Sequence, residues 1–138
     1  MARWTCPRCD REFARARQSH TCVPGCTVDA TFAGRPPTMR AVYDAVLDHL
    51  SSLGPVHEDA VSVGVFLKRE RKLAEVRPRS RDVLVLLALP HRVENARIRP
   101  LPDSTGPRVW HRLPMRAPAD VDDAVRDWLT IAYHDASD

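Results

Sequence analysis

The spacing of apolar positions changes twice along the chain, and each change marks an element. From residue 39 to 53 the residues Met39, Val42, Val46, Leu50 and Leu53 recur three or four apart, which predicts one amphipathic helix. Thr38 is placed to cap its N-terminus through the hydroxyl, and Gly54-Pro55 stops it. Asp44 and Asp48 fall on the other side and read as a solvated face. In "DAVSVGVFLK" the period drops to two: Val61, Val63, Val65 and Leu67 alternate, which predicts a strand. "KRER" reads as a charged turn and "KLAEVR" as the returning strand. "DVLVLLAL", residues 82–89, is continuously apolar, the pattern of a central strand covered on both faces, and Pro90 ends it. Residues 91–106 read as a long loop, and "RVWHRL", residues 108–113, as a further strand closed by Pro114. Helical spacing returns after Pro118, with Val121, Val125, Trp128, Leu129 and Ala132 on one stripe and Asp120, Asp122 and Asp123 at the positive end of the dipole. The order predicts an α+β fold: a small antiparallel sheet of about three to five strands, with an N-terminal and a C-terminal helix packed on one face.

The first 37 residues show neither period. Residues 1–26 hold all four cysteines and read as a metal knuckle. Residues 27–37, rich in breakers, read as a linker, and residues 38–138 as the α+β domain.

Composition narrows the class. Hydrophobic residues make up 43% and charged residues 28%, which excludes a disordered chain. No apolar run approaches the roughly 20 residues of a membrane span, and Met1-Ala2-Arg3-Trp4 has no apolar stretch of a signal peptide. The expected compartment is the cytoplasm, where thiols stay reduced and cysteines serve as metal ligands before disulfides.

"WTCPRCDREFARARQSHTC" carries the chemistry. Cys6-Pro7-Arg8-Cys9 is a CxxC pair able to grip one metal, and a closed zinc site needs four such ligands. The other two come from His20, Cys22 and Cys26. The set Cys6, Cys9, Cys22, Cys26 has the spacing of a zinc finger, but Pro24-Gly25 would break the helix that finger needs. Cys6, Cys9, His20 and Cys26 form a looser set that stays open. Cys6, Cys9, His20 and Cys22 are favoured, with His20 near the end of a short "FARARQSH" helix and Cys22 just past it.

That segment, with "FAGRPPTMRAVYDAVLDHLSSLGPV", "GVFLKRERKLAEVRP", "LALP", "VWHRL" and "WLTIAYHDAS", resembles the bacterial domain-of-unknown-function family numbered fifty-six fifty-five. The resemblance spans nearly the whole chain. It implies a W-x-C-P-x-C…F…H-x-C zinc knuckle ahead of the domain, matched by Cys6, Cys9, His20 and Cys22 with Cys26 as an extra. Those knuckles commonly carry glycine where this chain has Asp10. The resemblance implies no established activity and no catalytic residues.

The remaining candidates are weaker. No P-loop, GxGxxG, GxSxG or HExxH motif is present. His57-Glu58-Asp59, in an extended segment, point to alternating sides and read as a surface patch. His111 lies between Val109 and Leu113 on one strand face and reads as a hydrogen-bonded, partly buried histidine. An enzyme or small-ligand site would sit in the sheet cleft near His111, His91 and neighbouring arginines. Trp110, between Arg108 and Arg112, reads either as a stacking platform for a base or as core. Charge is uneven: +4 over residues 1–40, +5 over 68–81, +4 over 92–116 and −5 over 120–138. Arginine fits phosphate bidentately, so Arg8, Arg15 and Arg17 on the knuckle, with Lys68, Arg69 and Arg71 at the hairpin tip, are the candidate nucleic-acid contacts. The competing reading is an ordinary charged surface. The expectation is a zinc-binding cytoplasmic binding module, with nucleic acid as the first partner class and protein as the second.

Overall fold

The computed structural model describes residues 3–20, 22–102, 104 and 106–137. The chain opens on a hairpin, β1 (Trp4–Thr5) and β2 (Glu12–Phe13), followed by a helical turn, α1 (Val28–Thr31), and a long helix, α2 (Pro37–Leu53). Six strands follow: β3 (His57–Val61), β4 (Gly64–Lys68), β5 (Lys72–Pro78), β6 (Val83–Leu89), β7 (Arg99–Pro100) and β8 (Val109–Met115). A 3-10 turn, Pro118–Asp120, leads into α3 (Asp123–Asp135). Strands β3 to β8 form one antiparallel sheet in the order β3-β4-β5-β6-β8-β7. The class is α+β, with one strand more than the pattern suggested.

The predicted stripes form the core. Met39, Val42, Val46 and Leu50 of α2 and Val125, Leu129 and Ala132 of α3 are buried in one cluster with Val65, Val76, Val85 and Leu113. Those four strand residues are successive cross-strand partners, so both helices cover one face of the sheet. Phe66, Glu75, Leu86, Arg112 and Arg99 form the next row of partners and occupy the opposite face. Each fully buried large apolar side chain contributes about 1.5–3 kcal/mol. Tyr43 and Tyr133 are buried too, with hydroxyls donating to Glu58 and to the Pro55 carbonyl (3.1 Å).

Several local expectations change. "DAVSVGVFLK" is two strands, not one: Val61 pairs with Gly64 across a turn at Ser62-Val63, which leaves Val63 62% exposed. Residues 27–37 are not bare linker, because the Thr27 hydroxyl caps α1 by accepting from Ala30 N–H at 3.1 Å, and Phe32 is buried. Thr38 does not cap α2; Pro36 and Pro37 begin it, a position where the missing N–H costs nothing. Strand β6 is fully covered on one face only, since Leu84 and Leu86 stay half-buried on the other. The 91–106 loop holds β7, and its residues 103 and 105 lie outside the described ones. Pro114 lies inside β8, where β7 no longer pairs alongside and a missing N–H is tolerated. The last helix starts later than Pro118, with the Asp122 carboxylate accepting from Val125 N–H at 3.1 Å as its cap.

Candidate metal centre

Cys6 and Cys9 sit in the turn of the β1–β2 hairpin. The turn is closed by Cys6 N–H donating to Arg11 O at 2.9 Å and Asp10 N–H to Cys6 O at 2.8 Å. Asp10 takes φ 58°, the left-handed region that glycine favours and that aspartate tolerates through its short polar side chain.

His20 faces this turn from the returning chain. Its Nδ1–H donates to the Gln18 carbonyl at 2.6 Å, which leaves Nε2 as the ligand atom and fixes the ring. Phe13 stacks on the ring at 3.9 Å, with Trp4 edge-on. The His20 Nε2 lies 3.5 Å from Cys9 Sγ and 3.4 Å from Cys22 Sγ, and Cys6 Sγ lies 3.8 Å from Cys22 Sγ. The four ligand atoms all fall within 4.8 Å of one another, and the group can hold a metal ion. Residues 13–20 are not the expected helix: β2 ends at Phe13, and turns carry the chain to His20, with Arg17 at φ 58°. Cys26 lies apart, its sulfur 3.4 Å from both Thr27 O and Thr31 Oγ1.

The electrostatics suit a cation. Burial raises the Cys6 thiol, but the Arg8 and Cys9 backbone N–H groups, with His20 and Cys9 side chains, outweigh it and bring its pKa down to about 6. Cys22 is pushed up by burial and then by the neighbouring Cys6 and Cys9 sulfurs. Thiolates crowded in this way repel each other until a metal binds.

The knuckle is docked on the sheet at the β3–β4 end. Arg11 Nε donates to both Asp59 oxygens at 3.0 and 3.1 Å, and Lys68 Nζ to Asp59 Oδ2 at 2.8 Å. Lys68 also donates to Glu12 O at 3.2 Å and lies 4.1 Å from the Phe13 ring centre. Behind the knuckle, Gly25 pairs with Val61, and Cys26 N–H donates to Ala60 O at 2.9 Å. Sequence reasoning missed Asp59, which is buried rather than part of a surface patch; its one visible sign was its place at the head of the two-residue alternation that continues through Val61, Val63, Val65 and Leu67.

The candidate phosphate contacts divide in two. Arg8, Arg15 and Arg17 are exposed on the knuckle. Lys68, Arg69 and Arg71 do not form the exposed hairpin patch the sequence suggested. Lys68 is buried on Asp59, Arg69 Nη1 donates to Tyr133 O at 3.2 Å, and Arg71 Nη2 to Asp135 O at 2.5 Å. They tie the hairpin tip to the knuckle and to the C-terminus of α3, whose dipole favours cations. His91 is exposed, whereas His111 is buried, with Nδ1–H donating to Val109 O at 2.9 Å and Nε2 accepting from Val93 N–H at 2.9 Å. Both ring nitrogens are thus committed to backbone.

Fold and site together define a two-layer α+β domain that carries a three-cysteine, one-histidine cluster on its sheet. The chain belongs to the family described as domain of unknown function (DUF5655), whose model matches residues 28–136. No curated protein and no solved structure matches it. Among the described residues, no helix is long and apolar enough to cross a membrane.

Proposed function

We propose that Cys6, Cys9, His20 and Cys22 hold one Zn2+ in a closed structural site, and that the protein is a cytoplasmic binding module whose knuckle engages nucleic-acid phosphates. The geometry of the cluster carries the metal reading. Zinc bonds of about 2.3 Å to sulfur and about 2.0 Å to nitrogen give tetrahedral edges of about 3.8 Å between sulfurs and about 3.5 Å from sulfur to nitrogen. The observed separations of 3.8, 3.5 and 3.4 Å agree with those edges. Four protein ligands leave no open position, so the ion fixes the knuckle rather than doing chemistry. Thiolate ligands persist where thiols stay reduced, which supports the cytoplasm.

Partner binding rests on Arg8, Arg15 and Arg17, exposed on the knuckle the metal would rigidify. The test is fluorescence anisotropy with labelled DNA and RNA at two salt concentrations. Three phosphate contacts give a log–log salt slope of about −2.7 on duplex and about −2.1 on a single strand. Arg15→Ala with Arg17→Ala flattens the slope across sequences and keeps the metal. Binding unchanged in that variant assigns the knuckle a protein partner instead.

A further inference from the structure

The sheet face opposite the helices carries a charge conflict that the fold leaves standing. Arg99 on β7 and Arg112 on β8 are direct cross-strand partners, and both are exposed. Among the described residues neither has a carboxylate or carbonyl acceptor. Like charges directly opposite each other destabilise a sheet, and an anion between them removes the penalty. Two carboxylates near this pair among the described residues are committed elsewhere. Glu75, two places along the row from Arg112 and next to Leu86, is held by Lys72 at 2.7 Å and by Arg77 at 2.8 Å. Asp82, whose charge Arg112 also feels, is gripped by Arg79 through two contacts of 2.6 Å.

An aromatic platform stands beside this pair. Trp110 precedes Arg112 by two residues on β8 and therefore shares its face, about 7 Å away and within the span of one nucleotide. Its ring is half-buried, with Lys72 Nζ at 5.0 Å and Arg108 Cζ at 5.7 Å from its centre. On β6 half-buried Leu86 lies opposite Arg112 and buried Ala88 opposite Trp110, and half-buried Leu84 continues the face beyond Arg112. Apolar ground, a part-exposed indole with two long cationic side chains over its ring, and an excess of guanidinium groups over carboxylate make a combined stacking and phosphate surface.

We propose that this open face docks single-stranded nucleic acid, with a phosphate between Arg99 and Arg112 and a base stacked on Trp110. The proposal rests on the polyanion reading above and adds the strand type and a second contact surface. A duplex keeps its base faces internally stacked, so a flat face with an aromatic platform favours unpaired bases. An acidic protein segment, such as α3 of a second copy, would answer the arginines but leave the indole unused.

The test is anisotropy with short labelled oligothymidylate, oligouridylate and a duplex at two salt concentrations. The proteins are wild type, Trp110→Ala, Trp110→Phe, Arg99→Gln with Arg112→Gln, and Arg15→Ala with Arg17→Ala, each checked by circular dichroism. The expected result is tighter binding of single strands than of duplex. Trp110→Ala should weaken it by about 10-fold, with Trp110→Phe restoring most of the loss. The double Gln variant should flatten the single-strand salt slope by about 0.7, the share of the one phosphate the pair holds. If only the knuckle variant loses affinity, the sheet proposal falls and the knuckle reading stands; if only the sheet variants lose it, the reverse holds. No binding by wild type removes both. A concentration-dependent dimer abolished by the double Gln variant assigns the face to a second copy and overturns the proposal.

Discussion

Arg11 of the knuckle and Asp59 of strand β3 form a buried ion pair, with Nε 3.0 Å from Oδ1 and both side chains under a tenth exposed. Lys68 joins the same carboxylate at 2.8 Å. One carboxylate thus offsets two cations where water is largely excluded, and it is a buried polar link between the cysteine cluster and the sheet.

Removing that carboxylate takes from both buried cations the negative charge they share. Asp59→Asn should cost about 3–5 kcal/mol, the range for breaking a buried pair from one side, while Asp48→Asn on the exposed face of α2 should change little. The pair also sets a pH dependence. Burial works against the Asp59 charge, but the hydrogen bonds and charges of Arg11 and Lys68 outweigh it and hold its pKa below the usual value. The stabilisation is therefore complete above about pH 4 and is lost as pH falls through the lowered folded pKa. Urea denaturation should show wild type losing stability on acidification more steeply than Asp59→Asn; parallel profiles would refute the assignment.

This link left almost no trace in the sequence, because a buried pair separated by 48 positions has no period to reveal it. Helix α2 was legible because Met39, Val42, Val46 and Leu50 all face one core. The β3–β4 hairpin was hidden by its own regularity. Val61, Val63 and Val65 keep the two-residue alternation straight through the turn, and Ser62-Val63 lacks the Asn-Gly or Asp-Gly signal. The four ligands could be named from CxxC and HxC spacing, although the helix expected beneath His20 is absent. Lys68, Arg69 and Arg71 looked like a surface patch because a charge run does not disclose which carbonyls and carboxylates it will meet.

His111 serves the fold. Its Nε2 is the acceptor for Val93 N–H, so His111→Leu should strand that donor and cost about 1–3 kcal/mol. Burial depresses its pKa despite the raising effect of the Val109 and Leu87 backbone. Its contribution is thus full above about pH 6.5 and erodes as pH falls below that value. Nitrogen NMR should find the neutral ring protonated on Nδ1 at pH 7. A charged ring there would contradict this structural role, since an imidazolium cannot accept from Val93 N–H.

We propose that residues 1–26 fold as a unit distinct from the domain that follows. The cut between them must precede Thr27 rather than fall at residue 38, since Phe32 is buried with its ring 5.4 Å from that of Tyr43. A chain of residues 27–138 should fold without metal. Chelation of the whole protein should release the knuckle and leave most of the helical and sheet signal in circular dichroism. Global unfolding on chelation would make the knuckle part of the core.

Metal content of three purified proteins tests the central assignment most directly. Wild type and Cys26→Ser should each carry one zinc per chain, because the Cys26 sulfur rests against Thr31, outside the cluster. Cys22→Ser should carry none, having lost one of four ligands. Zinc retained by Cys22→Ser and released from Cys26→Ser would contradict the ligand set and the knuckle geometry built on it.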